Sequence, residues 1–473
     1  MVPICYYTAA LPGPPKAEPH LQKDSRVASL IVLVRRLLAR RFAREVLTLQ
    51  VGSFATMGIQ FISSVVIANL LNPEPFGVYY QARSLLDLVT MLANLAVGQA
   101  LITPLAAAVA RKDGEESLKI LAYFLKVGMA VALAESALGL AGGPLLGKIV
   151  LDDPAIGDLS RVLFLTPPLT VFFNMVVLAL QSARQVGKLA LLENGALMAT
   201  SILNLAVVAL GGGVTGLLYS VAFVPILTST AALLVYSRTL PRTGVFPSLW
   251  AILRAAPGIP VRRYFAFSAL VSVDKNIANL ISLAPTVLLG RLSSDAEVAY
   301  FRVAQNLTLT LLSVPMSPIS RNLYAKLAEV RAKFGDERVG RALVQVTLGS
   351  LAISVTLAAG LMVAAPFIIR IYKPAYLPAL GAMYGLGVRC ALLGFGVGLG
   401  PLYQVLNVMP LAIASKIAPA AVMIGVGAAL IGPMGAVGAA WTVTITYLVG
   451  DLISAAIMWR LLRVRPSFPS RRL

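Results

Sequence analysis

The sequence predicts an all-α membrane protein of about twelve transmembrane helices, in two six-helix parallel repeats around a central cavity, N-in/C-in. Its composition is 58% hydrophobic and only 13% charged, with a mean hydropathy of +0.82. Soluble domains carry roughly 25% charged residues, so this chain lacks a polar coat. The apolar residues fall in runs of about 20, the length that crosses a bilayer, and the basic residues gather between alternate runs.

The apolar runs define the approximate spans, and the segments around them complete the predicted organisation. The predicted spans are 46–70, 83–108, 120–141, 161–183, 189–210, 214–236, 264–289, 299–320, 343–369, 379–404, 411–431 and 436–459. They divide into an N-terminal half (46–236) and a C-terminal half (264–460), joined by a Pro- and Arg-rich cytoplasmic linker at 237–263 with a short surface helix near Leu249–Arg254. We expect 461–473 to be a basic cytoplasmic tail.

The first 45 residues precede the first span and divide into two parts. Residues 1–25 lack a basic stretch ahead of their apolar residues, so we expect a flexible tail instead of a signal peptide. Residues 26–45 combine apolar residues with five arginines from Arg35 to Arg44, which predicts a basic helix on the cytoplasmic surface. A charge cluster that only sets topology is an equal alternative.

Charge in the connections sets the predicted orientation. Even-numbered connections are rich in Lys and Arg, whereas 72–77 and 211–216 contain neither, and the predicted outer loop 143–160 carries more acid than base. Basic connections stay in the cytoplasm, so both chain ends are predicted to lie inside. The connection near Asn407–Pro410 carries no charge and is uninformative.

Weak internal similarity at one offset indicates the repeat. Residues 70–83 align with 291–304 at an offset of 221, pairing Tyr79 with Tyr300, and 213–216 align with 435–438 at 222. A repeat in which both halves have the same orientation places a pseudo-two-fold axis along the membrane normal and a cavity between the halves.

Several function classes are disfavoured by the residue inventory. The net charge of +20 comes from basic residues placed between apolar runs, without the aromatic-basic pattern of a nucleic-acid groove, so no nucleic-acid partner is expected. The single histidine, His20, lies in the N-terminal tail, which disfavours a catalytic triad or a histidine metal site, and we expect no enzyme activity, metal or cofactor. Gly142 to Lys148 resembles a P-loop but continues with Ile149, where magnesium binding needs Ser or Thr. Cys5 and Cys390 imply no disulfide framework.

Charged residues inside the predicted spans are the candidate functional residues, because a charge at a helix centre costs about 2.5–3.5 kcal/mol on insertion scales. Arg389 has no acidic neighbour within one turn, and we favour a cavity position for it. Arg83 and Arg302 lie near the outer ends of their helices, where snorkelling to the interface is the commoner explanation. Asp87 follows Arg83 at i+4, so the two are also candidates for a structural ion pair.

Three stretches resemble the polysaccharide-exporter branch of the multidrug/oligosaccharidyl-lipid/polysaccharide (MOP) superfamily. Residues 72–79 (NPEPFGVY) are similar to that branch's turn between its first two helices, and 293–300 look like a second copy in which Val298 replaces the glycine. Residues 431–451 are similar to the branch's last helix. These motifs are typical of the superfamily and do not specify a substrate.

The resemblance implies a flippase for lipid-linked oligosaccharides in the bacterial plasma (inner) membrane. The implied substrate is an undecaprenyl-diphosphate-linked O-antigen or exopolysaccharide repeat unit, and the other implied partners are membrane lipids and polysaccharide-assembly proteins. From depth and charge we expect the diphosphate and cavity contacts to be Arg389, Lys275, Arg302, Arg83, Gln305 and Asn306. The candidates for ion coupling are Asp274, Asp451, Asp87 and Glu135.

Three rival functions stay open from the sequence. A multidrug cation antiporter of the same superfamily should have a cavity dominated by carboxylates, whereas the charges inside these spans lean basic. A murein-precursor flippase typically has fourteen spans. A polysaccharide polymerase or ligase would carry its chemistry on one large outer loop, and no predicted outer connection here is long.

Overall fold

The protein was analysed as a computed structural model, which describes residues 41–93, 97–310, 323, 327, 336–406 and 408–464. The predicted tail 1–25, most of the basic segment 26–45 and residues 465–473 lie outside this range. All regular structure in the described residues is helical.

The described residues of the N-terminal half contain eight helical segments, and a 3-10 turn at Arg161–Leu165 joins the fifth to the sixth. They are α1 (Arg41–Leu70), α2 (Pro73–Ala93), α3 (Val97–Ala110), α4 (Gly114–Leu151), α5 (Pro154–Ser160), α6 (Thr166–Ser182), α7 (Val186–Ala209) and α8 (Gly213–Thr239).

The linker and the C-terminal half contain the remaining described helices, and α11 continues into a π-helical turn at Asn306–Thr310. They are α9 (Leu249–Ala255) in the linker, α10 (Arg262–Leu292), α11 (Asp295–Gln305), α12 (Asp336–Ile369), α13 (Ala379–Gly396), α14 (Leu399–Val405) and α15 (Met409–Val464).

Seven helical segments of the described chain are long and apolar enough to cross a membrane, which makes this a multi-pass membrane protein. One of them, α15, has 56 residues. At 1.5 Å per residue it is more than twice as long as a bilayer core of about 30 Å is thick. Its backbone leaves the helical region at Gly435 (φ 53°, ψ −131°), so it forms two arms that match the predicted spans 411–431 and 436–459. The count of twelve crossings and their direction remain predictions.

The predicted outer loop at 143–160 is wrong, because helix α4 continues to Leu151 and α5 begins at Pro154. The glycines in this stretch serve close packing: a Cβ on Gly147 or Gly157 would overlap backbone of the facing helix. Only Asp152 and Asp153 form the turn, and Asp153 Oδ1 accepts a hydrogen bond from the Ala155 amide at 2.7 Å. The P-loop-like sequence is therefore part of a helix.

Two predicted spans differ from the described helices. The described residues of span 83–108 are helical on both sides of 94–96, which lie outside the described residues, and α2 begins ten residues earlier than the span, at Pro73. Pro73 suits this position because proline lacks a backbone N–H, and the N–H groups in the first turn of a helix have no partner within the helix. Span 379–404 is divided into α13 and α14.

The buried clusters show where the two halves meet. The largest cluster contains Leu71, Phe76 and Leu85 of the first half together with Leu289 and Tyr376 of the second. All five lie at or near the predicted outer ends of their helices. A second cluster contains residues of only the N-terminal half and the linker, and a third contains only C-terminal residues near the predicted inner ends. The described halves thus share a core at the predicted outer end and have separate cores at the inner end.

Direct contacts between the repeated segments seal this outer end. Gly77 of α2 packs directly on the backbone of Asp295, the first residue of α11, and a Cβ at position 77 would overlap the Asp295 carbonyl. Gln81 Nε2 donates to Asp295 Oδ1 at 2.7 Å, and Tyr376 Oη donates to the Leu71 carbonyl at 3.3 Å. The repeat position of Gly77 is Val298, which is fully buried. The glycine is needed in one copy only because the close approach involves one copy only.

Candidate functional site

Four of the predicted substrate residues come together where α2 faces α11. Arg83 projects from α2, and Arg302, Gln305 and Asn306 belong to α11 and the π-helical turn that follows it. Arg302 Nη1 donates to Gln305 Oε1 at 2.9 Å, while Asn306 Nδ2 donates to Tyr80 Oη at 3.3 Å. We refer to Arg83 and Arg302 as the arginine pair.

Two tyrosines hold the arginine pair in place. Arg83 Nη1 donates to Tyr79 Oη at 3.2 Å, and the guanidinium carbon of Arg302 lies 5.1 Å from the centroid of the Tyr80 ring. A guanidinium at this distance from an aromatic face is attracted by the ring's negative face. The two tyrosine rings are themselves in edge-to-face contact, 5.1 Å between centroids. The sequence analysis identified Tyr79 only as the repeat match of Tyr300, and the adjacent tyrosines at 79 and 80 were the available signal.

The arginine pair carries unsatisfied hydrogen-bonding capacity. Arg302 Nε is buried and has no hydrogen-bond partner, which is costly unless a ligand or water fills the gap. Asp87, one turn after Arg83, acts electrostatically on both guanidinium groups. One carboxylate facing two guanidiniums leaves the local charge positive, and phosphate oxygens are good acceptors for such donors.

Three cavities adjoin this cluster. The first, about 510 Å³, lies among α1, α2 and α7 and is bordered by Arg83 and Asn306. The second, about 590 Å³, lies within the N-terminal half among α2, α3, α4 and α6 and is bordered by Asp87 and Glu135. A smaller cavity of about 300 Å³ is bordered by Arg302 and Asp87. The predicted residues therefore border real space at the junction of the halves.

Glu135 lies in the wall of the second cavity, which is formed entirely by residues of the N-terminal half. Its side chain is 6% exposed, and its Oε2 accepts a hydrogen bond from Thr90 Oγ1 at 3.2 Å. Thr90 borders both the second and the small cavity, which connects Glu135 to the neighbourhood of Arg302.

Arg389 and Asp451 form a separate buried pair between α13 and the second arm of α15. Arg389 is 7% exposed, its Nη1 lies 3.7 Å from Asp451 Oδ2, and its guanidinium carbon lies 4.3 Å from the centroid of the Tyr447 ring. Neither Nη1 of Arg389 nor Oδ2 of Asp451 has a hydrogen-bond partner. The sequence prediction found no acid within one turn of Arg389 because its partner comes from a different helix.

The last two predicted residues lie on α10. Lys275 is exposed, and it borders none of the three cavities described above. The backbone of Asp274 is helical, but its side chain lies outside the described part of the chain. Both assignments stay predictions.

Comparison with known proteins gives a family and a fold. A sequence model of the family described as "polysaccharide biosynthesis protein" matches residues 42–330, more than half of the chain, including Arg83 and Arg302. A search among curated proteins finds no significant match.

Solved structures of membrane transporters share the fold at low identity. An inward-facing multidrug resistance MATE transporter of the MOP superfamily superposes with a TM-score of 0.68 and 16% identity, covering 86% of this chain and 95% of that one. The lipid II flippase MurJ, in an inward closed conformation, gives 0.66 and 11% identity, covering 89% and 94%. A MOP superfamily transporter from Pyrococcus furiosus, described as having a binding pocket of reverse polarity, gives 0.61 and 16%, covering 91% and 97%.

Proposed function

Because this chain belongs to the polysaccharide biosynthesis protein family, in the MOP superfamily, we propose that it is a lipid-linked oligosaccharide flippase. The proposed substrate is an undecaprenyl-diphosphate-linked O-antigen or exopolysaccharide repeat unit, moved from the inner to the outer leaflet of a bacterial plasma membrane. The family and the MurJ-like fold support this proposal together with the chemistry of the site.

The observation that carries the proposal is the arginine pair between the two repeated helices. Arg83 and Arg302 come from different halves, and both are held by tyrosines beside open cavities. Two guanidiniums with a free buried N–H match a diphosphate, whose oxygens accept charge-assisted hydrogen bonds. Because the two residues belong to different halves, a rearrangement of the halves changes their separation and so their grip on the diphosphate.

The proposed mechanism is alternating access between the halves. In the proposed state the outer end, where the described halves share a core, is closed, and the predicted cytoplasmic end, where their described cores are separate, admits the substrate. Substrate would enter from the inner leaflet, and release would require the contacts around Gly77 and Asp295 to open.

A coupling role is assigned to the buried pair Arg389–Asp451. Protonation of Asp451, or a cation taking the place of the guanidinium, would cancel the attraction between α13 and α15. Such a change would alter the packing of α13 against α15. Ion binding could then shift the equilibrium between the inward-open and outward-open arrangements of the two halves. Asp274, Asp87 and Glu135 remain further candidates.

The rival function is multidrug cation antiport, which the fold shared with MATE transporters favours. The junction of the halves argues against it, because a cationic drug would be placed beside Arg83 and Arg302. Carboxylates are present in the second cavity, so the distinction depends on which cavity the cargo enters.

Deleting the gene in its native bacterium tests the two functions against each other. The flippase function predicts that lipid-linked repeat units accumulate in the inner leaflet while surface glycan falls, and that the full-length protein restores both. Increased drug sensitivity with normal surface glycan would contradict the flippase and favour the antiporter.

A further inference from the structure

The arginine pair connects two cavities of opposite electrostatic character. Arg83 borders the first cavity. Arg302 borders the small cavity, which shares Asp87 and Thr90 with the second cavity. A ligand centred on the arginine pair therefore has space on two sides.

The first cavity is suited to a hydrocarbon chain. Arg83 is the only charged residue in its described wall, and α1 contributes Phe54, Met57 and Phe61. The other polar side chains there, among them Gln60, Ser64 and Asn204, carry no charge. Phe54 is 55% exposed and Leu197 on α7 is 44% exposed, so apolar side chains continue from the cavity to the protein surface. The hydroxyl of Ser63 is not free to bind a ligand, because it donates a hydrogen bond to the Ser201 carbonyl on α7 at 3.0 Å.

The second cavity is suited to a hydroxyl-rich group. The charged residues in its described wall are Asp87 and Glu135, both acids, and amide groups come from Asn174 and Gln181. Carboxylates accept hydrogen bonds only, so they favour the hydroxyl donors of a sugar and disfavour phosphate. A prenyl chain placed there would lie against two carboxylates without offering either of them a hydrogen-bond donor, which is unfavourable.

From this division we infer that the substrate lies across the site in a fixed order. The prenyl chain occupies the first cavity, the diphosphate lies on the arginine pair, and the sugar next to the phosphate occupies the second cavity, with Asp87 and Glu135 accepting its hydroxyls. The inference rests on the proposed flippase function and assigns each chemical part of that substrate to its own subsite.

Two matched threonines allow the order to be tested by filling each cavity separately. Thr200 lies in the wall of the first cavity and Thr170 in the wall of the second; each is half-buried, and each donates its hydroxyl to its own helix at 2.8 Å. The probe is undecaprenyl diphosphate without sugar, titrated against full-length protein in lipid nanodiscs. We expect Thr200→Trp to weaken binding at least tenfold and Thr170→Trp to leave it within twofold. Glycan export in cells should fall for both variants.

The reverse pattern would overturn the order: Thr170→Trp would weaken binding of undecaprenyl diphosphate, and Thr200→Trp would leave that binding unchanged. Equal binding losses in both variants would also overturn it.

Photolabelling of the unmodified protein gives an answer that does not depend on variants folding. The probe is farnesyl diphosphate carrying a diazirine at the far end of the prenyl chain, and labelled peptides are identified by mass spectrometry. We expect labelling in α1 and α7 that excess undecaprenyl diphosphate displaces. Displaceable labelling in α4 and α6 would overturn the order while leaving the proposed function intact. If excess undecaprenyl diphosphate displaced the label from no part of the protein, the proposed function itself would be contradicted.

Discussion

Gly77 of the first half lies against the main-chain carbonyl of Asp295 in the second, so closely that no side chain fits between the two helices. The two segments are the copies of the predicted repeat, and this contact lies at the end where the described halves share a core. If the repeat holds, its two copies pack on each other at this end.

Gly77→Ala should destabilise the closed end. Because the added Cβ would meet backbone, relief requires a helix shift, and overpacking of this kind costs typically about 1–3 kcal/mol. We expect the thermal unfolding midpoint in detergent to fall by several degrees. Gly349→Ala is the matched control, since Gly349 is an exposed helical glycine with open space around it, and its midpoint should not fall. Equal midpoints for wild type and the Gly77 variant would show that the contact is not tight.

The outer-end contacts should also have to open during transport. Asn69 Oδ1 accepts a hydrogen bond from the Lys373 amide at 2.8 Å, so these residues from opposite halves are neighbours. In a background without Cys5 and Cys390, we expect Asn69→Cys with Lys373→Cys to cross-link under oxidation. Glycan export should then stop and return on reduction, while each single variant exports normally under both conditions. Export by the fully cross-linked protein would contradict opening at this end.

Replacing Arg389 alone should destabilise the protein more than replacing both Arg389 and Asp451. Arg389→Met leaves the Asp451 carboxylate, which is 18% exposed, without its partner, and the cost should lie below the roughly 3–5 kcal/mol of breaking a fully buried pair. The unfolding midpoint should fall strongly and partly recover at acidic pH, because protonating Asp451 removes the unpaired charge. Adding Asp451→Asn should restore stability at neutral pH but not glycan export. If the double variant also exports at the wild-type rate, the pair is structural and has no part in coupling.

Tyr80 should contribute to diphosphate binding through Arg302. Tyr80→Leu removes the ring that faces the guanidinium, whereas Tyr80→Phe keeps the ring and loses only the hydroxyl bonded to Asn306. Cation–π contacts are worth about 0.5–2 kcal/mol depending on desolvation. We expect Tyr80→Leu to weaken undecaprenyl diphosphate binding by about two- to thirtyfold at that magnitude and Tyr80→Phe to weaken it less. Equal losses in both variants would assign the effect to the hydroxyl.

The sequence correctly predicted an all-α, multi-pass membrane protein, because hydropathy reports what a bilayer requires. The short linker helix Leu249–Ala255 and the break at Gly435 lie where proline, arginine and glycine indicated them. The loop at 143–160 was mispredicted because the predicted span ended at 141, whereas helix α4 continues to Leu151 and its glycines allow close packing against α5. Small residues serve that purpose in membranes, and sequence spacing alone does not separate the two uses.

The sequence predicted the residues of the candidate site but not all of their partners or the cavities around them. Arg83, Arg302, Gln305 and Asn306 were found together because the repeat places their helices at matching depth. The partner of Arg389 was missed because Asp451 lies on another helix, and which helices face each other depends on packing. The two cavities were likewise beyond prediction, since each is formed by several helices distant in the sequence.

The most direct test of the account measures undecaprenyl diphosphate binding to full-length protein in nanodiscs after removal of the arginine pair. Arg83→Ala combined with Arg302→Ala should abolish saturable binding and glycan export while the protein stays inserted. Arg370→Ala, which removes an exposed arginine that lies over Phe367, should leave both unchanged. Wild-type binding and export by the double variant would contradict the claim that these two arginines hold the diphosphate.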